Sequence, residues 1–133
     1  MTATRDFAAL VGRIMLSVIF FFSAYEKILR FAATAALMTR KGLPAAELLL
    51  TVTILIELGG GLAMIVGWRT RWAAVALLLF TGAATLVFHN FWAVGMEQAQ
   101  AQQTQFLKNL AIGGGLLVLF AFGPGNFALD HDR

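Results

Sequence analysis

Residues 54–74 read ILIELGGGLAMIVGWRTRWAA and contain the end of one long apolar stretch and the start of another. Five residues, GWRTR at 67–71, separate the two stretches. A membrane-spanning helix needs about 20 mostly apolar residues. The two stretches supply them at about 45–66 and 72–91. The segment therefore predicts two membrane helices joined by a tight link.

Two more stretches have the same character, at about 7–29 and 106–122. The last span is expected to begin earlier, because the preceding MEQAQAQQTQ contains good helix formers. The sequence therefore predicts an all-α membrane protein, a four transmembrane helix bundle that forms a single membrane domain over residues 1–133.

Composition favours lipid as the solvent of this chain. Of its 133 residues, 59% are hydrophobic and 13% are charged, whereas a soluble domain carries about 25% charged residues. The chain has no cysteine and two histidines, which argues against thiol chemistry, iron–sulfur clusters, a metal site and a haem held within one chain. We find no phosphate-binding loop, dinucleotide fingerprint or nucleic-acid motif. The predicted surroundings are the lipid bilayer, with no nucleic acid as partner.

The link between the first two spans, residues 30–44, reads RFAATAALMTRKGLP. Its apolar positions alternate with polar ones, as is typical of a short helix lying in the membrane interface. Gly42 is expected to end this helix, and Pro44 is expected in the first turn of the second span.

An even number of spans places both termini on one side of the membrane, which we call side A, together with the link at 67–71. Side B carries the other two links. The positive charges divide almost equally between the sides, so the positive-inside rule barely decides the orientation. We predict that side A, with both termini, is cytoplasmic, because a short link with two arginines is hard to translocate.

Glu57 is the deepest ionisable residue, near the middle of the second span. Intramembrane ionisable groups are costly and mark candidate functional sites. By depth, its expected partner is Arg13 on the first span. Three alternatives stay open: a structural ion pair, a ligand or proton site, and a protonated Glu57 that is merely hydrogen-bonded.

A second group of polar residues is predicted at the side B ends of the spans. Antiparallel neighbouring helices would bring these residues to one level, where they could bind the polar head of an amphipathic ligand such as a quinone. An ordinary interfacial belt is the alternative, since Trp and Lys collect at that depth anyway. The candidate ligand-binding residues are Lys27, His89, Asn90, Trp92, Lys108 and Asn109.

Two triple-glycine runs occupy matching places, at 59–61 in the second span and 113–115 in the fourth. Small residues let helix backbones approach closely in membranes. We interpret the runs as packing surfaces; a weak duplication of two helical hairpins is the alternative.

Taken together, the motifs of this chain resemble those of the DoxX family of small bacterial membrane proteins. The resemblance covers nearly the whole chain, and the combination of motifs is more specific than any one of them. The matching pieces are LVGRIMLSVIFFFSAYEKI (10–28), KGLP (41–44), ILIELGGGLAMIVGWRTRWAA (54–74), LFTGAATLVFHNFW (79–92), QFLKNLAIGGGLL (105–117) and GPG (123–125).

The resemblance implies a multi-pass protein of the bacterial inner membrane that is associated with membrane oxidoreductase systems. It also places the candidate site residues named above on family motifs. No covalent cofactor is expected, a quinone is the expected ligand, and a redox protein is an expected partner. Because four short spans enclose little volume, a second copy of the chain is the other expected partner.

Three functions compete at this point. The leading hypothesis is an oxidoreductase-associated subunit that binds a quinone-like or lipidic molecule. The alternatives are a non-enzymatic scaffold or assembly subunit, which would use the glycine runs as contact surfaces, and a small carrier with Glu57 on its path.

Overall fold

The computed structural model describes residues 2–130, and all regular structure in that range is helical. The four longest helices are long and apolar enough to cross a membrane. The predicted all-α architecture, with four spans and a short helix after the first, is confirmed. The elements are α1 (Ala3–Leu29), α2 (Phe31–Arg40), α3 (Ala46–Val66), α4 (Thr70–Phe88), a 3₁₀ turn (Phe91–Ala93) and α5 (Met96–Phe122).

The four long helices follow one another around the bundle in the order α1, α3, α4, α5. Helix α1 packs along α3, α3 along α4 and α4 along α5, whereas α5 makes only slight contact with α1. Helices α1 and α4 therefore lie diagonally opposite each other. The short helix α2 packs on α3, so the link between the first two spans covers the side B end of the α1–α3 pair.

The interior contains two apolar clusters. The larger one joins α1, α3, α4 and α5, and the smaller one joins α1, α2 and α3. Most other large apolar side chains are exposed on the outer face, as a helix bundle in lipid requires. The buried members of the first cluster are Phe20, Met64, Ala73, Ala74, Leu77, Leu116 and Leu119; those of the second are Ala24, Ala35, Met38, Leu50 and Ile54.

Both glycine runs contribute to close helix packing, as predicted. A Cβ atom on Gly60 would lie 2.8 Å from Cγ of Leu77, and one on Gly115 would lie 3.2 Å from Cδ2 of Leu16. Not every glycine is used in this way. A Cβ on Gly59 or Gly114 would meet nothing within 4 Å among the described residues.

Gly42 ends α2, as expected. Its φ is +85°, its N–H donates to the carbonyl of Thr39, and the N–H of Leu43 donates to the carbonyl of Met38. This is the Schellman arrangement, which favours glycine. The expectation for Pro44 was wrong: α3 begins at Ala46, because the left-handed Ala45, with φ +48°, turns the chain between the proline and the helix.

Helix α5 ends at Phe122 and is followed by Gly123 and Pro124. The C-terminal segment, residues 123–130, then folds back across side A. The N–H of Leu129 donates to the carbonyl of Val66 at 3.0 Å, and the N–H of Asp130 donates to the carbonyl of Gly67 at 2.6 Å. The C-terminal segment is therefore attached to the end of α3 through Leu129 and Asp130.

The side chains of this segment bind two helix N-termini. The carboxylate of Asp130 accepts the backbone N–H groups of Arg69 and Thr70, at 2.7 and 2.6 Å, and so caps α4, which has no cap from its own flanking residue. Asn126 donates its backbone N–H and its amide to the carboxylate of Asp6 in the first turn of α1, both at 3.0 Å.

Candidate functional site

A buried ion pair lies inside the bundle. Oε1 of Glu57 on α3 is 2.5 Å from Nζ of Lys27 on α1. Nζ also donates to Oγ of Ser23 at 2.6 Å and lies 5.6 Å from the ring centroid of Phe80 on α4. Glu57 is fully buried, while the Lys27 side chain is 23% exposed. Three helices thus meet at one intramembrane pair of charges.

The expected pairing of Glu57 with Arg13 is wrong, because depth alone ignores the direction of a helical side chain. Cα–Cβ bonds in a helix tilt toward its N-terminus, which for α1 is side A. The Arg13 side chain therefore leads away from Glu57. The same tilt takes Lys27 from the side B end back into the span, where it reaches Glu57.

Arg13 instead binds backbone carbonyls at side A. Its guanidinium donates to Met64 at 2.9 Å and Ile65 at 3.2 Å, and to Phe127 in the C-terminal segment. Its Nε has no hydrogen-bond partner within residues 2–130. The residue is 1% exposed. Arg13 therefore joins α1, the last turn of α3 and the C-terminal segment, where the negative end of the helix dipole favours a cation.

The polar rim at side B is partly assembled by hydrogen bonds between side chains. Nδ1 of His89 lies 2.8 Å from Oε1 of Gln102, so the end of α4 is joined to the early turns of α5. The amide of Asn109 donates to Oγ1 of Thr85 at 2.9 Å. The Oδ1 atom of Asn90 is buried and has no hydrogen-bond partner among the described residues.

The remaining rim candidates lie apart from these hydrogen bonds. Trp92 is 58% exposed and packs edge-to-face on Phe91 and Phe106, with ring centroids 5.3 and 5.9 Å away. Lys108 is exposed on α5. Lys27 was expected at the rim, but its ammonium group points into the span toward Glu57.

A shallow depression of about 440 Å³ adjoins the rim, between the 3₁₀ turn and the first turn of α5, and is lined by residues 94–98. None of the rim candidates lines it. Among the described residues, no group of three or more His, Asp or Glu side chains could hold a metal ion.

Sequence reasoning missed five polar residues that complete these arrangements, namely Ser23, Thr85, Gln102, Asn126 and Asp130. Ser23 was detectable, because it lies four residues before Lys27 and so shares its helix face. Gln102 lies in the glutamine-rich start of α5, where nothing distinguishes it from Gln103. Asp130 and Asn126 bind partners 60 to 120 residues away, and no local pattern predicts such contacts.

Asp130 lies outside the spans, and two opposing effects act on its pKa. Burial raises the pKa, but the hydrogen bonds from the backbone N–H groups of Thr70 and Arg69 outweigh burial and hold it below the ordinary value of 3.8. The ionised carboxylate is thus the form that caps α4.

Comparisons with known proteins agree with this architecture. A family model described as DoxX matches residues 8–90. The chain is 35% identical over 131 residues to "Inner membrane protein YqjF" of Escherichia coli (strain K12), covering 98% of this chain and 95% of that protein. It is 27% identical over 129 residues to "Inner membrane protein YphA" of the same organism, covering 97% and 92%.

A more distant similarity reaches a eukaryotic protein. The chain is 25% identical over 81 residues to "ER-derived vesicles protein ERV29" of Saccharomyces cerevisiae, covering 61% of this chain and 26% of that protein. No solved structure matches the chain.

Proposed function

The chain belongs to the DoxX family and is a multi-pass inner-membrane protein, and from this premise we propose that it binds the polar head of a quinone-like amphipathic molecule at its side B rim, as a subunit associated with a membrane oxidoreductase. The observation that carries the proposal is the buried Oδ1 atom of Asn90, which has no hydrogen-bond partner within residues 2–130. A buried acceptor without a partner costs about 1–3 kcal/mol. The hydroxyl group of a quinol, the reduced form of a quinone, would donate to this oxygen and remove that cost, whereas an oxidised quinone has only acceptor oxygens.

The neighbours of Asn90 suit such a ligand. His89 precedes it, and its second ring nitrogen remains for a ligand while Nδ1 lies against Gln102. Phe91 and Trp92 directly follow Asn90 in the sequence. With Phe106 they form an edge-to-face aromatic cluster. Aromatic rings beside a few polar groups are the usual lining of a small-molecule site. The tail of the ligand would remain in lipid.

The composition of the chain limits the role that it could have in the proposed redox reaction. It has no cysteine and two histidines, which gives it no ligand set for a haem or an iron–sulfur cluster of its own. Under the proposal, this chain holds and orients the quinol, and electrons pass from the bound quinol to a partner protein.

The test is an anaerobic titration of the purified protein in lipid nanodiscs with decylubiquinol, the reduced form, whose hydroxyl groups can donate to Oδ1 of Asn90. Trp92 fluorescence reports binding in a background where Trp68 and Trp72 are replaced by Phe. We expect saturable quenching, and an apparent Kd about tenfold weaker for Asn90→Leu, which keeps the size of the side chain but removes the acceptor.

A matched pair of glutamines provides the control. Gln102→Ala removes the partner of His89 and should weaken binding several-fold, whereas Gln103→Ala, exposed one residue further along, should not change the Kd. Absence of saturable quenching, or an unchanged Kd in Asn90→Leu, contradicts the proposal.

The scaffold function is the second candidate, because part of the glycine surface faces outward. Gly59 and Gly114 pack against nothing among the described residues, so a helix of another chain could approach there. Replacing both with leucine should displace a stoichiometric partner from the natively extracted complex. The carrier function, with Glu57 on its path, remains a hypothesis that no observation here favours.

A further inference from the structure

The ion pair inside the bundle leaves one carboxylate oxygen of Glu57 without a hydrogen bond. Its Oε1 accepts from Lys27, but Oε2 is buried and has no partner within residues 2–130. A carboxylate oxygen in a medium of low dielectric is among the costliest groups to leave unpaired. A donor that does not belong to the described part of the chain is needed to satisfy it.

Lys27 cannot easily supply that donor. An ammonium group has three N–H bonds. Two of them are engaged by Glu57 Oε1 and Ser23 Oγ, and the face of the Phe80 ring lies 5.6 Å from Nζ, within the range of a cation–π contact.

The site is open on one side. Helix α1 makes only slight contact with α5, and Leu16 packs against Gly115 about three helical turns toward side A from Lys27. Nearer side B the Lys27 side chain is 23% exposed. A small molecule dissolved in the membrane could therefore reach Lys27 between the helices, and a change of the Lys27 rotamer would expose the buried Glu57 to it.

The charges define the class of ligand. Glu57 and Lys27 neutralise each other, so a charged ligand would enter with an uncompensated charge inside the membrane. The unpaired atom is an acceptor, so the ligand must donate an O–H or N–H group. A phenolic hydroxyl donates strongly to a carboxylate while the molecule stays neutral and soluble in lipid.

We propose that Glu57, Lys27 and Ser23 form an intramembrane binding site for a neutral phenolic hydroxyl compound, which donates its O–H to Oε2 of Glu57. The site is separate from the side B rim and does not rest on the function proposed there.

The experiment uses 4-fluorophenol and 4-fluoroanisole as probes, observed by ¹⁹F NMR with the intact protein in nanodiscs. The two probes have similar apolar bodies, but the anisole has no O–H to donate. We expect saturable binding of 4-fluorophenol above the partitioning seen in empty nanodiscs, and binding of 4-fluoroanisole that is at least tenfold weaker. Equal behaviour of the two probes, or no saturable binding of the phenol because water satisfies Oε2, overturns the proposal.

Variants locate the site. Glu57→Gln should reduce 4-fluorophenol affinity at least tenfold, whereas Glu26→Gln, an exposed carboxylate on the same helix as Lys27, should leave it unchanged. If Glu57→Gln does not fold, the comparison of probes on the unaltered protein still decides, and Phe80→Leu should weaken binding a few-fold by changing the wall beside Lys27. Unchanged affinity in folded Glu57→Gln overturns the proposal.

Discussion

The two ends of the bundle hold their polar side chains in different ways. At side A, most of these side chains bind backbone groups: Arg13 the carbonyls of Met64 and Ile65, Asp130 the N–H groups that begin α4. Toward side B, the polar side chains that join different helices bind other side chains, as in Lys27 with Glu57 and His89 with Gln102.

The difference indicates that the contacts at side A support the ends of helices, whereas those toward side B can be exchanged. If a side chain at side A gives up its contact with the backbone, the end of the helix loses its support. A contact between two side chains can be exchanged for a ligand by a change of rotamer. The oxygens of Glu57 and Asn90 that have no hydrogen-bond partner within residues 2–130 both lie toward side B, and so both proposed sites lie there. In the same range, side A also has atoms without a partner, Nε of Arg13 and Oγ1 of Thr70, but they belong to residues that support helix ends.

The largest expected effect comes from separating the ion pair. Lys27→Met leaves the fully buried Glu57 without its cation, which should lower the free energy of unfolding by about 3 kcal/mol. This value is at the lower end of the range for a buried ion pair, because Lys27 is itself partly exposed. Reversible unfolding in mixed micelles measures it. Because both partners are side chains, adding Glu57→Leu should recover most of the loss. A double variant as unstable as the single one would contradict this description of side B.

A smaller loss is expected at side A. Arg13→Met leaves buried carbonyls of Met64 and Ile65 without donors, at a cost of about 2 kcal/mol. Arg40→Met, exposed at the end of α2, is the control and should have little effect. No second side-chain substitution should rescue Arg13→Met, because its partners belong to the backbone. A side-chain substitution that restored the lost stability would remove the distinction between the two ends.

The smallest effect is expected at the cap of α4. Asp130→Ala should cost about 1 kcal/mol and should increase hydrogen exchange of the amides of Arg69 and Thr70, while amides in the middle of α4 keep their protection. Unchanged exchange at these two amides would mean that the C-terminal segment is not attached there in solution.

Acid should reproduce the loss of this cap. Because the pKa of Asp130 in the folded chain is below its ordinary value of 3.8, its contribution to stability is present above that value. The contribution is lost as the pH falls through the lowered pKa. The amide shifts of Arg69 and Thr70 should titrate with a midpoint below 3.8 in the unaltered protein, and should lose that transition in Asp130→Ala.

Features governed by local patterns were predictable from the sequence. The length of the apolar stretches predicted the four spans. Gly42 predicted the end of α2, because the position that follows a helix end of this kind needs a left-handed backbone, which glycine adopts readily. The glycine runs predicted close packing, which Gly60 and Gly115 confirm. The orientation of side A toward the cytoplasm and the roles of the candidate site residues stay predictions.

Features that depend on side-chain direction or distant contacts were not predictable from residue counts. Counting residues placed Arg13 and Glu57 about 6 Å apart along the membrane normal, within reach of an arginine side chain. The tilt of Cβ toward the helix N-terminus instead takes Arg13 away from Glu57 and brings Lys27 to it. The attachment of Asp130 to α4 joins residues 60 positions apart. Neither Asp130 nor the start of α4 has a sequence pattern that identifies the other as its partner.

The C-terminal attachment also sets an order of events during synthesis. The pair of Lys27 and Glu57 needs only the chain as far as α3, so it can form while α4 and α5 are still to be made. The bond from Arg13 to Phe127 and the cap from Asp130 need residues that are made after α5. Until Asp130 has been made, the inserted protein therefore has α4 without this cap, and a chain terminated directly after α5 could not acquire it.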